Sequence, residues 1–187
     1  MGRTYDDIDD RLATWLEAQP VFFVATAPLD PAGHLNLSPK GNRHELAVLG
    51  PRRVAYLEQT GSGIETVAHL RDNGRIVVMA CAFGGPPRIV RLHGQGRVVR
   101  PGTTEWPAVA GALAERGCEP GGAGVRSAVV VDVTRIADSC GYGVPLMSFD
   151  RHRPTMDDWA ARKGATGVIA YQAASNRTSL DGLPALD

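Results

Sequence analysis

The chain has 187 residues, 43% of them hydrophobic, and its 20 basic residues balance 20 acidic ones to a formal net charge of zero. That length and apolar content describe one domain with a real core. Zero net charge argues against nucleic-acid or anionic-membrane binding driven by bulk charge, and no run approaches the roughly 20 apolar residues of a membrane helix.

The first ten residues are acidic and polar, with no apolar signal core. From Asp6 to Gln19, Ile8, Leu12, Trp15 and Leu16 recur at helical spacing, which predicts an amphipathic helix stopped by Pro20. Val21 to Ala27 is a short run of apolar β-formers, hence a buried strand. Asp30-Pro31-Ala32-Gly33 turns the chain, and His34 to Lys40 returns as a second strand. Gly50-Pro51 precedes a third strand, Arg53 to Gln59. Thr60-Gly61-Ser62-Gly63 then opens a helix. Ser62 and Glu65 have capping-box spacing, so this helix is expected to begin right after Ser62 and to end at Asn73-Gly74.

Arg75 to Phe83 reads as a fourth strand, followed by the turn Gly84-Gly85-Pro86-Pro87. Arg88 to Arg100 is a fifth, with Gly94 and Gly96 predicting a bulge or sharp coiling. A surface helix spans Thr104 to Arg116, and Arg126 to Ile136 is the sixth strand. Past Ala137 the regularity drops to a loop, a short helix from Met156 to Lys163 and a polar tail from Gly164. Six short strands with helices that do not alternate strictly predict a mainly β fold. A closed or half-closed antiparallel barrel fits this order better than a doubly wound sheet.

Two stretches carry anion-binding chemistry. On the second strand Asn36, Ser38 and Lys40 share one face and offer an amide, a hydroxyl and an ammonium, while Leu35 and Leu37 take the other. Pro39 suits a strand end, and Gly41 lets a backbone come close to a ligand. An ordinary solvated strand end is the competing reading. The other stretch is Thr60-Gly61-Ser62-Gly63. Helix N-termini leave backbone N–H groups unpaired and carry positive potential, and glycines let a phosphate approach them. A plain capped helix is the alternative; neither a dinucleotide fingerprint nor a P-loop is present. If the second and third strands pair, both stretches face one anion. Arg88 and Arg91, three residues apart, lie on opposite faces of a strand, so at most one can join; a solvated edge strand explains them as well.

Five histidines and three scattered cysteines (Cys81, Cys118, Cys140) show no metal-site spacing and no disulfide framework, which fits a reducing cytosol. There is no Gly-x-Ser-x-Gly elbow, and no side chain stands out as a general acid or base, so catalytic residues are unassigned.

The order Phe22-Phe23-Val24-Ala25-Thr26, then Leu37-Ser38-Pro39-Lys40-Gly41, then Tyr56-Leu57-Glu58-Gln59-Thr60-Gly61-Ser62-Gly63-Ile64-Glu65-Thr66 resembles the pyridoxamine 5'-phosphate oxidase-like superfamily of flavin-binding split β-barrels. The likeness continues through His69 to Arg75 and Arg88 to Gly94. It implies a single domain, residues 1–187, with a six-stranded antiparallel split β-barrel over about 20–140 and a C-terminal extension over 141–187. It also implies a cytoplasmic homodimer with FMN in a cleft between the subunits. The implied activity is an FMN-dependent oxidoreductase, passing hydride between NAD(P)H or another small donor and an unknown small molecule. Cofactor contacts are implied at Asn36, Ser38, Lys40, Gly41, Thr60, Ser62, Gly63 and Thr66, with Arg88 or Arg91 as additions. Lys40 is the expected charge partner of the phosphate. Two departures argue against vitamin B6 as the substrate. Leu35 stands where true pyridoxamine phosphate oxidases carry a strand arginine, and Ser179-Leu180-Asp181-Gly182-Leu183 replaces their Arg-and-Trp ending. Relatives that bind deazaflavin F420 or haem leave those cofactors, and a non-catalytic binding role, as alternatives.

Overall fold

The computed structural model of the chain describes residues 2–42 and 44–186. In chain order the elements are β1 (Thr4–Tyr5), α1 (Asp10–Glu17), β2 (Phe22–Thr26), β3 (Asn36–Lys40), β4 (Leu46–Gly50), β5 (Arg53–Gln59), α2 (Glu65–Asp72), β6 (Arg75–Cys81), β7 (Ile89–Val99), α3 (Trp106–Glu115), β8 (Val125–Ser139) and α4 (Thr155–Ser175). The strands form one antiparallel sheet in the order β3-β2-β6-β7-β8-β5-β4, with β1 added on β8.

β8 is the spine. Its 15 residues pair with β7 along one edge and β5 along the other. The β7–β8 register slips between His93↔Arg135 and Gly94↔Val133, leaving Thr134 as an extra residue. This is the bulge expected at Gly94. A Cβ at that glycine would stand 2.3 Å from the Asp132 carbonyl oxygen, so a larger residue would push the strands apart. Bulges sharpen local twist, and here the sheet curls until its far ends meet. Phe22 on β2 and Tyr56 on β5 stack edge to face with ring centroids 5.5 Å apart, although β6, β7 and β8 lie between their strands in the sheet.

The inward face is one apolar core, with Val24, Val54, Tyr56, Leu92, Val129 and Ile136 wholly buried. Each such side chain stabilises the fold by about 1.5–3 kcal/mol through burial. α1 closes one end with Leu12 and Leu16, its first turn capped by Asp9, which accepts from Leu12 N–H at 2.8 Å. On the outer face of β5 and β8, Ala55, Leu57, Ala128 and Val130 pack with Val109 and Leu113 of α3.

Four local expectations change. Eight strands are present among the described residues, not six. β1 is too short to leave a periodic signal and forms on the overhang of the long β8; β4 is a short run that pairs with β5 across Pro51-Arg52. The expected second and third strands, β3 and β5, do not pair with each other: β3 lies on β2, and β5 lies between β8 and β4. The capping box does not form. α2 starts at Glu65 with Ile64 as its N-cap and no side-chain cap, so Glu65 is the first helical residue and not the third, and its carboxylate accepts from Leu180 N–H at 3.3 Å. Finally, the tail is not irregular after Gly164. That glycine takes a left-handed φ of 65° and kinks α4, and helix resumes to Ser175.

Candidate functional site

The curled sheet leaves a seam between β3 on one side and β4–β5 on the other. β3 brings Asn36, Ser38 and Lys40, whose cross-strand partners are Thr26, Val24 and Phe22. This polar face therefore points the same way as the barrel interior, while Leu35 and Leu37 face outward, 83% and 68% exposed. The common pattern of apolar in and polar out is inverted on this edge strand.

Across the seam, Glu58 continues the inward row of Val54 and Tyr56 on β5. The β5–β8 register slips from Glu58↔Ser127 to Gln59↔Val125, so Arg126 is the extra residue of a bulge. Bulges re-aim side chains, and Arg126 lines the seam with only 3% of its surface exposed. Lys40 Nζ donates to Glu58 Oε1 at 2.8 Å, and Arg126 Nη2 donates to the same oxygen at 3.1 Å. One carboxylate thus bridges two largely buried cations. β3 and β5 meet through this ion pair, not through a strand ladder.

Glu45 and Glu65 add two more carboxylates to the charged lining. Burial raises the Glu45 carboxyl to about 7, with Gln59 and Lys40 pulling it down and Glu58 pushing it up. Near neutral pH it is about half protonated, so it sets only part of a full negative charge against Lys40 and Arg126. Glu45 Oε1, Glu58 Oε2 and Arg126 Nε have no protein hydrogen-bond partner among the described residues. Buried polar groups are nearly always bonded, so this unused capacity marks a place that water or a ligand completes.

A second network orients the strand face. Asn36 Nδ2 donates to Thr26 Oγ1 at 3.1 Å and to Thr66 Oγ1 at 3.0 Å, while Ser38 Oγ donates to Asn36 Oδ1 at 2.9 Å. Thr26 Oγ1 and His69 Nδ1 share a hydrogen bond of 2.9 Å. Burial lowers the pKa of His69, which favours the neutral ring. Asn36 and Thr66 are thereby held in fixed orientations.

These groups enclose a polar pocket of about 320 Å³. Through Gly41, Gly61 and Ser62 it adjoins a chamber of about 1030 Å³ walled by Phe83, Met147, Phe149, Trp159 and Tyr171, with Arg151 and Arg153 at its side. His152 Nδ1 donates to Gly41 O at 2.9 Å and ties the chamber loop to the strand tip. The polar pocket and the chamber lie at the lower and upper ends of the size range of small-molecule and cofactor sites.

Of the residues expected from sequence, Asn36, Ser38, Lys40, Gly41, Ser62, Gly63 and Thr66 line the polar pocket, and Thr60 lines the chamber. Arg88 and Arg91 line neither. Arg88 donates to Tyr5 Oη at 3.0 Å and lies over the Trp15 ring; Arg91 donates to Ser139 Oγ at 3.1 Å. Glu45, Glu58, Arg126 and Asn176 escaped the sequence reading. Glu58 leaves a signal, a charge directly after the apolar run from Val54 to Leu57; Asn176, 50 positions from Arg126, leaves none. Among the described residues no group of three His, Cys, Asp or Glu side chains could hold a metal ion, and no helix is long and apolar enough to cross a membrane.

An antiparallel barrel left open along one seam, with helices closing its end and outer face, is a split barrel. Solved structures share it: HupZ of Group A Streptococcus superposes with a TM-score of 0.51 at 21% identity, over 69% of this chain and 91% of that one. An FAD-binding protein of Mesorhizobium loti gives 0.50 at 14% identity, over 74% and 95%. No family model matches the chain. A curated relative does: the pyridoxamine 5'-phosphate oxidase family protein ustO of Aspergillus flavus is 39% identical over 198 aligned positions, covering 97% of this chain and 77% of the relative. The chain belongs to the pyridoxamine 5'-phosphate oxidase family.

Proposed function

We propose that this protein binds FMN and works as a flavin-dependent oxidoreductase on a small molecule other than a B6 vitamer. One observation carries the reading: a narrow polar pocket with two largely buried cations adjoins a larger aromatic chamber, which is the shape and polarity of a planar ring bearing an anionic tail. Ser38, Lys40, Ser62, Gly63 and Thr66 hold the phosphate in this reading, and Trp159, Tyr171 and Phe83 flank the ring. Bound FMN supplies hydride and electron transfer, chemistry that belongs to the cofactor. The chain positions the tail, keeps the seam dry and leaves chamber volume for a substrate.

A second copy of the chain completes the site. Leu35 and Leu37 stand outward on the edge strand beside the pocket, and Tyr142 and Leu146 on the chamber loop are similarly exposed; patches of this kind mark interfaces. Three unpaired cysteines favour a reducing cytosol.

The test is the absorption spectrum and native mass of freshly purified protein, followed by fluorescence titration with FMN and riboflavin. Flavin bands, a dimer mass and clear preference for FMN are expected, with anaerobic reduction by NADH or NADPH. A haem or deazaflavin spectrum would reassign the cofactor. Bound FMN that no nicotinamide reduces would make the protein a flavin carrier. A colourless monomer that leaves FMN fluorescence unchanged would end the reading.

A further inference from the structure

The Gly61-Ser62-Gly63 loop does not set its own conformation. Two of its carbonyls are held from beneath by side chains distant in sequence. Asn176 Nδ2 donates to Gly61 O at 2.9 Å, and Arg126 Nη1 donates to Gly63 O at 3.1 Å. The same Nη1 donates to Asn176 Oδ1 at 2.8 Å. A guanidinium can only donate, so this contact fixes which end of the Asn176 amide is oxygen. Asn176 has no exposed surface. It is delivered by the segment after α4, which doubles back on itself through Leu186 N–H to Asn176 O at 3.1 Å and packs Ala185 and Leu186 against Ile64, Val67 and Ala68. Gln172, one helical turn earlier, donates to Thr60 Oγ1 at 2.8 Å.

A trans peptide is planar, and its C=O and N–H point in opposite directions. Holding the Gly61 and Gly63 carbonyls toward Arg126 and Asn176 therefore turns the N–H groups of Ser62 and Ile64 away from that pair. It also occupies two oxygens that would otherwise repel an anion. The unpartnered Nε of the same buried arginine, which lines the pocket, is an independent sign that a ligand belongs there.

We infer that Asn176, with Arg126, is a positioning residue for anion recognition: the C-terminal segment is the part that turns the Gly61–Gly63 loop into a phosphate cradle. This rests on the FMN reading above. Arg126 also faces the pocket through its Nε, whereas Asn176 need not touch the cofactor and acts through the loop carbonyl.

The experiment compares FMN with riboflavin, which lacks the phosphate, on full-length wild type, Asn176→Ala, Gln172→Ala and the exposed control Arg177→Ala, each checked by thermal melting. Wild type prefers FMN, and inorganic phosphate competes with it. If it does not, the FMN reading fails and this inference falls with it. Given that preference, Asn176→Ala weakens FMN about tenfold or more, the scale of one hydrogen bond to a charged ligand. Riboflavin affinity stays within about twofold, and Arg177→Ala changes neither. A loss of both ligands in parallel, or of neither, in a folded Asn176→Ala overturns the inference. Should that variant not fold, Gln172→Ala decides: a smaller loss confined to FMN supports the inference, and an unchanged FMN preference overturns it.

Discussion

The barrel interior and the seam are built from the same strands and follow opposite rules. On β5 the inward row runs Val54, Tyr56, Glu58: two wholly buried core residues and then a carboxylate shared by two cations. Inside the barrel nearly every contact is apolar. At the seam, three carboxylate or guanidinium atoms are left without partners. The difference teaches where stability and function reside. The interior gains from excluding water and needs no specific ligand. The seam holds a buried charge network, which is weak evidence for stability and a good place for recognition.

The comparison breaks if a core truncation damages ligand binding in molecules that still fold. Leu92→Ala should lose about 2–5 kcal/mol in urea unfolding, because deleting a buried leucine removes burial and leaves a cavity. Flavin affinity of the folded fraction should be unchanged. The seam should behave in the reverse manner, and Glu45 sharpens the contrast through pH. Burial raises its carboxyl from 4.5 to about 7. Between those values the native state keeps a proton the unfolded chain has lost, so the contribution of Glu45 to stability is fully present below pH 4.5 and is lost as pH rises to 7. Glu45→Gln should therefore stabilise the protein by about 3 kcal/mol at pH 8 relative to its effect at pH 4.5. A wild-type-to-variant difference that stays flat across that range would show that Glu45 is not held neutral by burial.

Lys40→Ala comes next, weakening FMN by about 1.5–3 kcal/mol in a fluorescence titration, the worth of a charge-assisted hydrogen bond. Riboflavin affinity should move little, and equal losses for the two flavins would remove Lys40 from the phosphate. The smallest effect belongs to an ion pair outside both regions. Arg53 and Asp132 sit half exposed at 2.7 Å, and Arg53→Ala should cost under about 1 kcal/mol of stability and no affinity.

Much of this was legible before any coordinates. Strand periodicity placed Asn36, Ser38 and Lys40 on one face, and the glycines around Ser62 marked a loop open to a ligand. Both follow from local rules of backbone geometry, which a sequence states directly. Arg126 was not legible. Counting by twos along β8 puts it on the face of Ala128 and Val130, and only the bulge at Glu58 and Gln59 brings it into the seam. The capping box at Ser62 and Glu65 was legible and did not form, because the helix starts at Glu65 itself, whose carboxylate accepts from the distant Leu180 N–H.

By itself the chain's amino-acid order determined a mainly antiparallel sheet, the bulge at Gly94, and two polar stretches suited to an anion. Those features depend on neighbours a few residues apart. Tertiary structure alone decided that the two stretches face each other without their strands pairing, that Glu58 joins Lys40 to Arg126, and that Asn176 reaches back to the loop. Such contacts depend on how far a twisted sheet curls before its ends meet, and that is a sum over every strand in it.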